Sequence, residues 1–99
     1  MQKVDSEKKL EQLLRSSVEE RGGICLKLLT NFLTGLPDRL CLFPEGIAFF
    51  VEVKTTGKKP REIQKWWHNR LRNMGFGVYV LDQEEQLTDI LNNYNPQTK

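Results

Sequence analysis

The stretch GLPDRLCLFPEGIAFFVEVKTTGKKP, residues 35–60, decides the fold. Its two apolar runs, 38–43 and 46–54, predict β-strands, and Pro44-Glu45-Gly46 between them predicts a tight hairpin turn. Alternate residues of the second run point to one side and supply the anchor for a hydrophobic core. These predicted core residues are Ile47, Phe49, Val51 and Val53.

The register of this hairpin places its charged residues together. With Phe43 opposite Ile47, antiparallel pairing continues with residue numbers that sum to 90, and Asp38 lies across from Glu52. Opposed residues share one face with Cβ atoms roughly 4.5–5.5 Å apart. Lys54, two positions beyond Glu52, points the same way. A register change of one residue would separate the two acids, so the prediction depends on the turn.

Two adjacent carboxylates repel each other unless one is protonated or a cation lies between them. Mg²⁺ and Mn²⁺ prefer oxygen ligands. Asp38, Glu52 and the Val53 carbonyl would therefore form a metal site, completed by a phosphate oxygen. Lys54 would then neutralise charge on a scissile phosphate or help to deprotonate water. Alternatively, Glu52 and Lys54 form a solvated ion pair and Asp38 caps a turn.

The flanking sequence predicts the other elements. A first helix is capped by Asp5 or Ser6 and runs to about Arg21, and residues 24–29 form a strand with Lys27 facing inward. Helical spacing of Ile63, Trp67, Leu71 and Met74 predicts a core-facing stripe on a second helix that starts at Pro60 and ends at Gly75. A fourth strand spans 77–81. Asp82 and Glu85 suggest a capping box for a last helix with Leu87, Ile90, Leu91 and Tyr94 inward.

The predicted order is α-β-β-β-α-β-α in one α/β domain of residues 1–99, with a flexible tail from about residue 95. The sequence contains 99 residues, of which 38% are hydrophobic and 28% charged, as expected for a globular domain rather than a disordered chain. Such a short chain has a modest core, which favours dimerisation. Cys25 and Cys41 lack metal-ligand spacing and are interpreted as buried thiols of an intracellular protein. There is no apolar run suited to a signal peptide or membrane span.

The positive charge is concentrated in one segment. Residues 53–75 carry seven basic side chains against one acidic, a net charge of +6, although the whole chain carries only +2. This segment suits a polyanion, although solvated helix faces are often basic as well. The sequence has no glycine-rich loop or P-loop lysine to support nucleotide hydrolysis.

The aromatic residues and the histidine of the predicted second helix are weaker candidates. His68 is interpreted as a residue that flanks DNA or solvent, since it is the only histidine. Trp66 and Trp67 point about 100° apart on a helix, so one is expected in the core. The other would cover a dimer interface or stack on an unpaired base.

GLPD followed by VEVK resembles the PD-(D/E)XK nuclease signature, and the wider pattern is similar to its VRR-NUC branch. The similarity runs from SEKKLEQLL through the GG pair, the lysine of ICLKLL and KPREIQKWW to GFGVYVL. It implies a restriction-endonuclease-like core, with a mixed central sheet flanked by helices. Stand-alone proteins of this kind resemble phage enzymes that act as dimeric, structure-selective endonucleases, including Holliday-junction resolvases.

The resemblance also implies roles for individual residues. Asp38 and Glu52 match metal ligands and Lys54 the catalytic lysine. Glu7 matches an acid of the first helix that contacts the site directly or through metal-bound water, and Glu11, one turn further, is an alternative. Gln64 matches a glutamine that fixes the lysine or the substrate backbone. The basic side chains that are candidates for phosphate contacts are Lys27, Lys58, Lys59, Arg61, Lys65 and Arg72.

These observations together predict a Mg²⁺- or Mn²⁺-dependent DNA endonuclease that acts as a homodimer on branched DNA, in the cytoplasm of a bacterial host if phage-encoded. No membrane or nucleotide cofactor is expected. The competing hypothesis is a non-catalytic nucleic-acid-binding module that uses its basic segment for phosphates and its carboxylates in a structural ion network. Preference among junctions, flaps and plain duplex depends on groove and dimer geometry, and family analogy favours junctions.

Overall fold

A computed structural model of the protein describes residues 3–29 and 34–92. The helices and strands of these residues follow the predicted order: α1 (Glu7–Glu20), β1 (Ile24–Lys27), β2 (Arg39–Phe43), β3 (Ile47–Val53), α2 (Glu62–Asn73), β4 (Gly77–Leu81) and α3 (Gln86–Leu91). The predicted α/β class is therefore confirmed. Tyr94 and the predicted tail lie outside the described residues. Within the described ranges, no helix combines the length and the apolar character that crossing a membrane requires.

The four strands form one mixed sheet in the order β1-β2-β3-β4. The first two pairings are antiparallel, and β3 and β4 run parallel with α2 as the crossover. Phe43 pairs with Ile47 and Arg39 with Val51, so the predicted register is confirmed. A three-residue turn makes this register possible. It reverses the chain because Glu45 and Gly46 both adopt left-handed backbone angles, with φ of 70° and 77°.

The hydrophobic core lies between one face of the sheet and the helices α1 and α3. Ser6 caps α1 by accepting a hydrogen bond from the Lys9 backbone N–H at 3.1 Å. The inward stripe of α1 and the alternate residues of the central strands are buried together. The residues of this layer are Leu10, Leu14, Val18, Cys41, Phe43, Phe49, Val51, Val53 and Leu81.

The prediction for α2 is wrong in its start, and of its predicted inward stripe only Leu71 is buried. The helix begins at Glu62, two residues after Pro60, and the residues that it buries are Gln64, His68 and Leu71. Ile63 and Met74 are exposed. The reason is that α2 covers the part of the sheet that carries Glu52, so its inward face contains polar residues suited to a carboxylate.

Two smaller predictions also differ from the structure. β1 ends at Lys27 and not at residue 29, and Lys27 is exposed because β1 is an edge strand. The capping box of the last helix is not formed. Instead, the Gln86 side chain accepts from the Asp82 backbone N–H at 2.8 Å and donates to Asp82 Oδ1 at 2.7 Å, and the helix starts at Gln86. Leu87, Ile90 and Leu91 are buried as predicted.

Cys25 and Cys41 are directly opposite each other on β1 and β2. Both are free thiols, and Cys41 is buried whereas Cys25 is partly exposed. The interpretation as buried thiols is correct for Cys41 and only partly correct for Cys25.

Candidate active site

The candidate site begins with the side-by-side arrangement of Asp38 and Glu52 at the end of the hairpin. The Asp38 carbonyl accepts from the Leu28 N–H at 2.8 Å, so the Asp38 backbone groups point towards β1 and away from β3. Asp38 and Glu52 therefore form a non-hydrogen-bonded pair, the type in which opposed side chains approach most closely. The Asp38 carboxylate accepts from the Val53 N–H at 3.0 Å.

The electrostatic environment of Asp38 disfavours its negative charge. Burial and, as the next cause, the neighbouring carboxylate of Glu52 together raise the pKa of Asp38 from 3.8 to about 6. The Val53 N–H acts in the opposite direction, but more weakly than burial and Glu52. Two acids held this close create a site of strong negative potential.

Glu52 is the more enclosed of the two acids, with only 1% of its surface exposed. Its Oε2 atom accepts from Gln64 Nε2 at 3.0 Å and lies 3.7 Å from Lys54 Nζ. Gln64 is itself held by the Arg61 N–H, which donates to Gln64 Oε1 at 2.7 Å. The amine of Lys54 and the amide of Gln64, both predicted for the site, therefore converge on one oxygen atom of the Glu52 carboxylate.

His68 is part of this cluster, contrary to the prediction that it flanks DNA or solvent. It is 3% exposed, and its Nε2 atom lies 3.7 Å from Glu52 Oε1. The residue was missed because the apolar stripe of α2 was taken as its inward face. The spacing of Gln64, His68 and Leu71 at intervals of four and three is an equally helical stripe and would have identified it.

The α1 carboxylates occupy different environments. The negative charge of Glu7 contributes to the raised pKa of Asp38, so Glu7 lies near the acid pair. Glu11 instead accepts from Arg39 Nη2 at 3.4 Å, and both side chains are largely buried. Of the two alternatives left open by the sequence, this arrangement favours Glu7 as the acid that faces the site.

A polar network holds the start of α1 against the loop that follows Lys54. The Asp5 N–H donates to Thr56 Oγ1 at 2.8 Å, and Thr56 Oγ1 donates to the Asp82 carbonyl at 2.6 Å. The Asp5 carboxylate accepts from Lys9 Nζ at 2.8 Å and from the Glu84 N–H at 3.0 Å, and these bonds lower the pKa of Asp5. This network fixes Glu7 and Lys54 relative to each other, and local sequence patterns did not reveal it.

The loop that carries Asp38 is held by the flank of α2. Trp67 Nε1 donates to the Thr34 carbonyl at 3.0 Å. A Cβ atom on Gly35 would lie 2.8 Å from Ile63 Cγ1, and Gly35 has a φ of 97°. Only glycine allows this approach without strain. The apolar residues predicted for the core of α2 therefore position the Asp38 loop.

Comparisons with known proteins agree with this geometry. No family model matches the chain. It is 41% identical over 85 residues to "Putative nuclease p44" of Acyrthosiphon pisum secondary endosymbiont phage 1, a match that covers 86% of this chain and 90% of that protein. A solved structure described as a VRR_NUC domain superposes with a TM-score of 0.84 at 29% identity, covering 92% of this chain and all of the other.

The chain belongs to the VRR-NUC nuclease family. Within this VRR-NUC domain, the acid pair lies at the carboxyl ends of the parallel strands β3 and β4, the edge at which α/β sheets commonly bind ligands. The Lys54 N–H donates to the Leu81 carbonyl at 2.9 Å, which fixes the lysine backbone at this edge.

The oxygen atoms of this VRR-NUC site suit a hard cation. The Val53 N–H points to Asp38, and because both backbone groups of a strand residue face the same neighbour, the Val53 carbonyl also points to that side. In the part of the chain that the structure describes, Glu52 Oε1 is buried without a hydrogen-bond partner. In residues 3–29 and 34–92, no three His, Cys, Asp or Glu side chains are grouped to hold a metal, so carboxylate ligands would come from a pair and be completed by other oxygens.

The predicted phosphate-contacting residues of the domain differ in availability. Lys27, Lys58, Lys59 and Arg61 have exposed side chains, and the last three lie in the loop between β3 and α2 or at its end. Lys65 is exposed and lies 3.4 Å from Glu62. Arg72 donates to the Val78 carbonyl at 2.7 Å, so its guanidinium is held at the start of β4, whereas the acid pair lies at the opposite end of that strand.

Proposed function

We propose that this chain is a Mg²⁺- or Mn²⁺-dependent DNA endonuclease that acts on branched DNA as a homodimer. The single observation that carries the proposal is the convergence of Asp38, Glu52 and Lys54 at one edge of the sheet, with Gln64 bonded to the same carboxylate. Family membership supports phosphodiester hydrolysis as the reaction.

The residues that would hold the ion are Asp38, Glu52 and the Val53 carbonyl, with Glu7 contributing through water. A bound divalent ion supplies Lewis-acid polarisation of the scissile phosphate. Lys54 carries its positive charge beside Glu52, where it offsets negative charge that develops on the phosphate in the transition state. Gln64 holds the Glu52 carboxylate in a fixed orientation, so that little reorganisation is needed during the reaction.

Substrate binding would use the basic loop between β3 and α2. Lys58, Lys59 and Arg61 are exposed on the same segment as Lys54, so phosphates bound there would direct the backbone towards the acid pair. Phosphate contacts of this kind fix position without reading base sequence. This arrangement fits an enzyme that selects DNA by shape.

The chemical step is tested by Asp38→Asn and Lys54→Ala with radiolabelled four-way junctions in Mg²⁺. We expect cleavage to fall at least about 100-fold in each variant, while DNA binding measured by fluorescence anisotropy persists. Lys8→Ala, which removes an exposed lysine from α1, is the matched control and should cut as wild type. Wild-type rates in either site variant would refute the catalytic assignment and favour the non-catalytic nucleic-acid-binding module.

Substrate preference is tested with a panel of synthetic four-way, flap, nicked and linear DNA at equal concentration. We expect the four-way junction to be cleaved fastest, with paired cuts. Equal cleavage of linear duplex would contradict the proposed selectivity and leave the chemistry unaffected.

The homodimer is supported by an apolar area of the sheet on the α2 side that no helix of residues 3–29 and 34–92 covers. Two adjacent rows of the register, Ile24-Leu42-Ala48 and Leu26-Leu40-Phe50, are apolar throughout. Ile24 is 57% and Leu26 40% exposed, and the other four residues are half-buried. We name these six residues the open sheet face.

A second copy of this chain is the occupant that the open sheet face fits best. All six side chains are uncharged, so two copies related by a two-fold axis meet without repulsion between like charges. Continuing this register one residue beyond the Arg39–Val51 pair places Asp38 and Glu52 in the next row on the same face. An interface here would therefore bring two acid pairs close together, as cutting two strands of one junction requires.

The interface is tested with Leu26→Glu, which places a charge in the open sheet face, and with Leu29→Glu as the matched control. Leu29 is 82% exposed and lies outside that face. By sedimentation velocity, we expect dimers of wild type and Leu29→Glu and monomers of Leu26→Glu. A monomeric wild type at tens of micromolar, or a dimeric Leu26→Glu, would contradict this interface.

A further inference from the structure

The two oxygen atoms of Glu52 have different surroundings. Oε2 accepts from Gln64 Nε2, whereas Oε1 has no hydrogen-bond partner among the described residues and faces His68 Nε2 at 3.7 Å. Within residues 3–29 and 34–92, His68 Nε2 is likewise buried without a hydrogen-bond partner. One unpaired acceptor and one unpaired nitrogen therefore face each other beside the candidate catalytic centre.

Leaving both atoms unpaired costs stability, because a buried polar atom loses its hydrogen bonds to water. The distance of 3.7 Å between His68 Nε2 and Glu52 Oε1 exceeds the usual N–H···O range of 2.7–3.2 Å by only about half an ångström. A small rotation of either side chain would close this gap. Filling the same position with an apolar residue would leave Glu52 Oε1 without any donor on the α2 side.

Gln64 and His68 lie one helical turn apart, so both face the same carboxylate from α2. We propose that His68 is a positioning residue, whose Nε2–H donates to Glu52 Oε1 and, together with Gln64, sets the orientation of the Glu52 carboxylate. This inference rests on the proposed role of Glu52 as a ligand. His68 itself contacts neither substrate nor ion.

In this arrangement, the hydrogen bonds from α2 determine which side of the Glu52 carboxylate stays available for other contacts. Each carboxylate oxygen offers about two lone-pair directions. When α2 donates to one direction on each oxygen, the remaining directions are left for the side of Asp38 and for Lys54, whose Nζ lies 3.7 Å from Oε2. Hydrogen bonds that orient a ligand in this way typically change metal affinity or activity by about 10- to 100-fold.

The first test is direct and needs neither metal nor activity. His68 is the only histidine of the chain, so its imidazole ¹⁵N signals are unambiguous in NMR spectra. In metal-free wild type at neutral pH, we expect a proton on Nε2, protected from exchange with water. A proton on Nδ1 alone would overturn the inference, because Nε2 would then have nothing to donate.

The second test compares two His68 variants with a packing control. His68→Gln keeps an N–H donor of similar reach, and His68→Leu keeps the bulk without a donor. Leu71→Ala, on the same buried face of α2, removes packing without removing a donor. We expect His68→Leu to raise the Mg²⁺ concentration for half-maximal cleavage by about 10- to 100-fold, and His68→Gln to restore most of the affinity.

The control separates positioning from structural support. Leu71→Ala should lower the midpoint of thermal unfolding without changing the Mg²⁺ dependence. An unchanged Mg²⁺ dependence in folded His68→Leu, or an equal shift in Leu71→Ala, would overturn the inference. If His68→Leu fails to fold, the inference is tested by the Mg²⁺ dependence of His68→Gln and by the NMR signals of the His68 imidazole. If wild type does not cleave, the proposed function fails, whereas the NMR result still tests the contact.

Discussion

Asp38→Asn is expected to make the metal-free protein more stable at pH 8, although it removes a candidate catalytic residue. The native pKa of Asp38 is raised to about 6 from 3.8, by burial and then by Glu52. A carboxyl whose pKa is higher in the native than in the unfolded state stabilises the native state while it is protonated. This stability is fully present below pH 3.8 and is lost as the pH rises through 6. Asparagine carries no charge and does not lose that stability.

The stability gained by Asp38→Asn can be worked out from the native and unfolded pKa values of Asp38. The difference between the two pKa values corresponds to roughly 3 kcal/mol. Asp38 is only partly buried, so solvent screening reduces the expected gain to about 1 kcal/mol. For a domain of this size, that gain raises the unfolding midpoint by about 4–8 °C. The asparagine oxygen can still accept from the Val53 N–H, so that bond is retained.

The assay is urea unfolding of wild type and Asp38→Asn in EDTA between pH 4 and pH 8. We expect the advantage of the variant to emerge as the pH rises from about 4 through 6. Glu62→Gln changes an exposed carboxylate in the same way and should alter stability by less than about 0.5 kcal/mol at either pH. A variant that is less stable than wild type at pH 8, or an advantage independent of pH, would refute the argument from the raised pKa of Asp38.

Two further predictions concern the structures that position the site. Gly35→Ala should lose more stability in urea than Gly75→Ala, by about 1–3 kcal/mol, because both have φ near 100° but only Gly35 faces Ile63 at 2.8 Å. Equal losses would show that backbone strain alone matters. Asp5→Asn should lower the thermal midpoint more at pH 7 than at pH 3, since Lys9 holds the pKa of Asp5 below its usual value and that stability disappears on acidification. A loss that is the same at both pH values would contradict this ion-pair role.

Local sequence determined the hairpin and, through it, the acid pair. A three-residue turn with glycine at its end permits one register, and strand alternation then places Asp38 and Glu52 on one face. These are short-range constraints, in which each residue's direction follows from its neighbours. The fold class and the element order were predictable for the same reason.

Only the tertiary structure decided which side of α2 faces the sheet. Helical spacing allowed both the apolar stripe with Ile63 and Trp67 and the polar stripe with Gln64 and His68. The choice depends on what each stripe meets: a buried carboxylate needs donors, and the Asp38 loop needs an apolar support. Both partners are distant in sequence, so no local pattern contains this information, and the role of His68 became visible only when Glu52 was placed beside it.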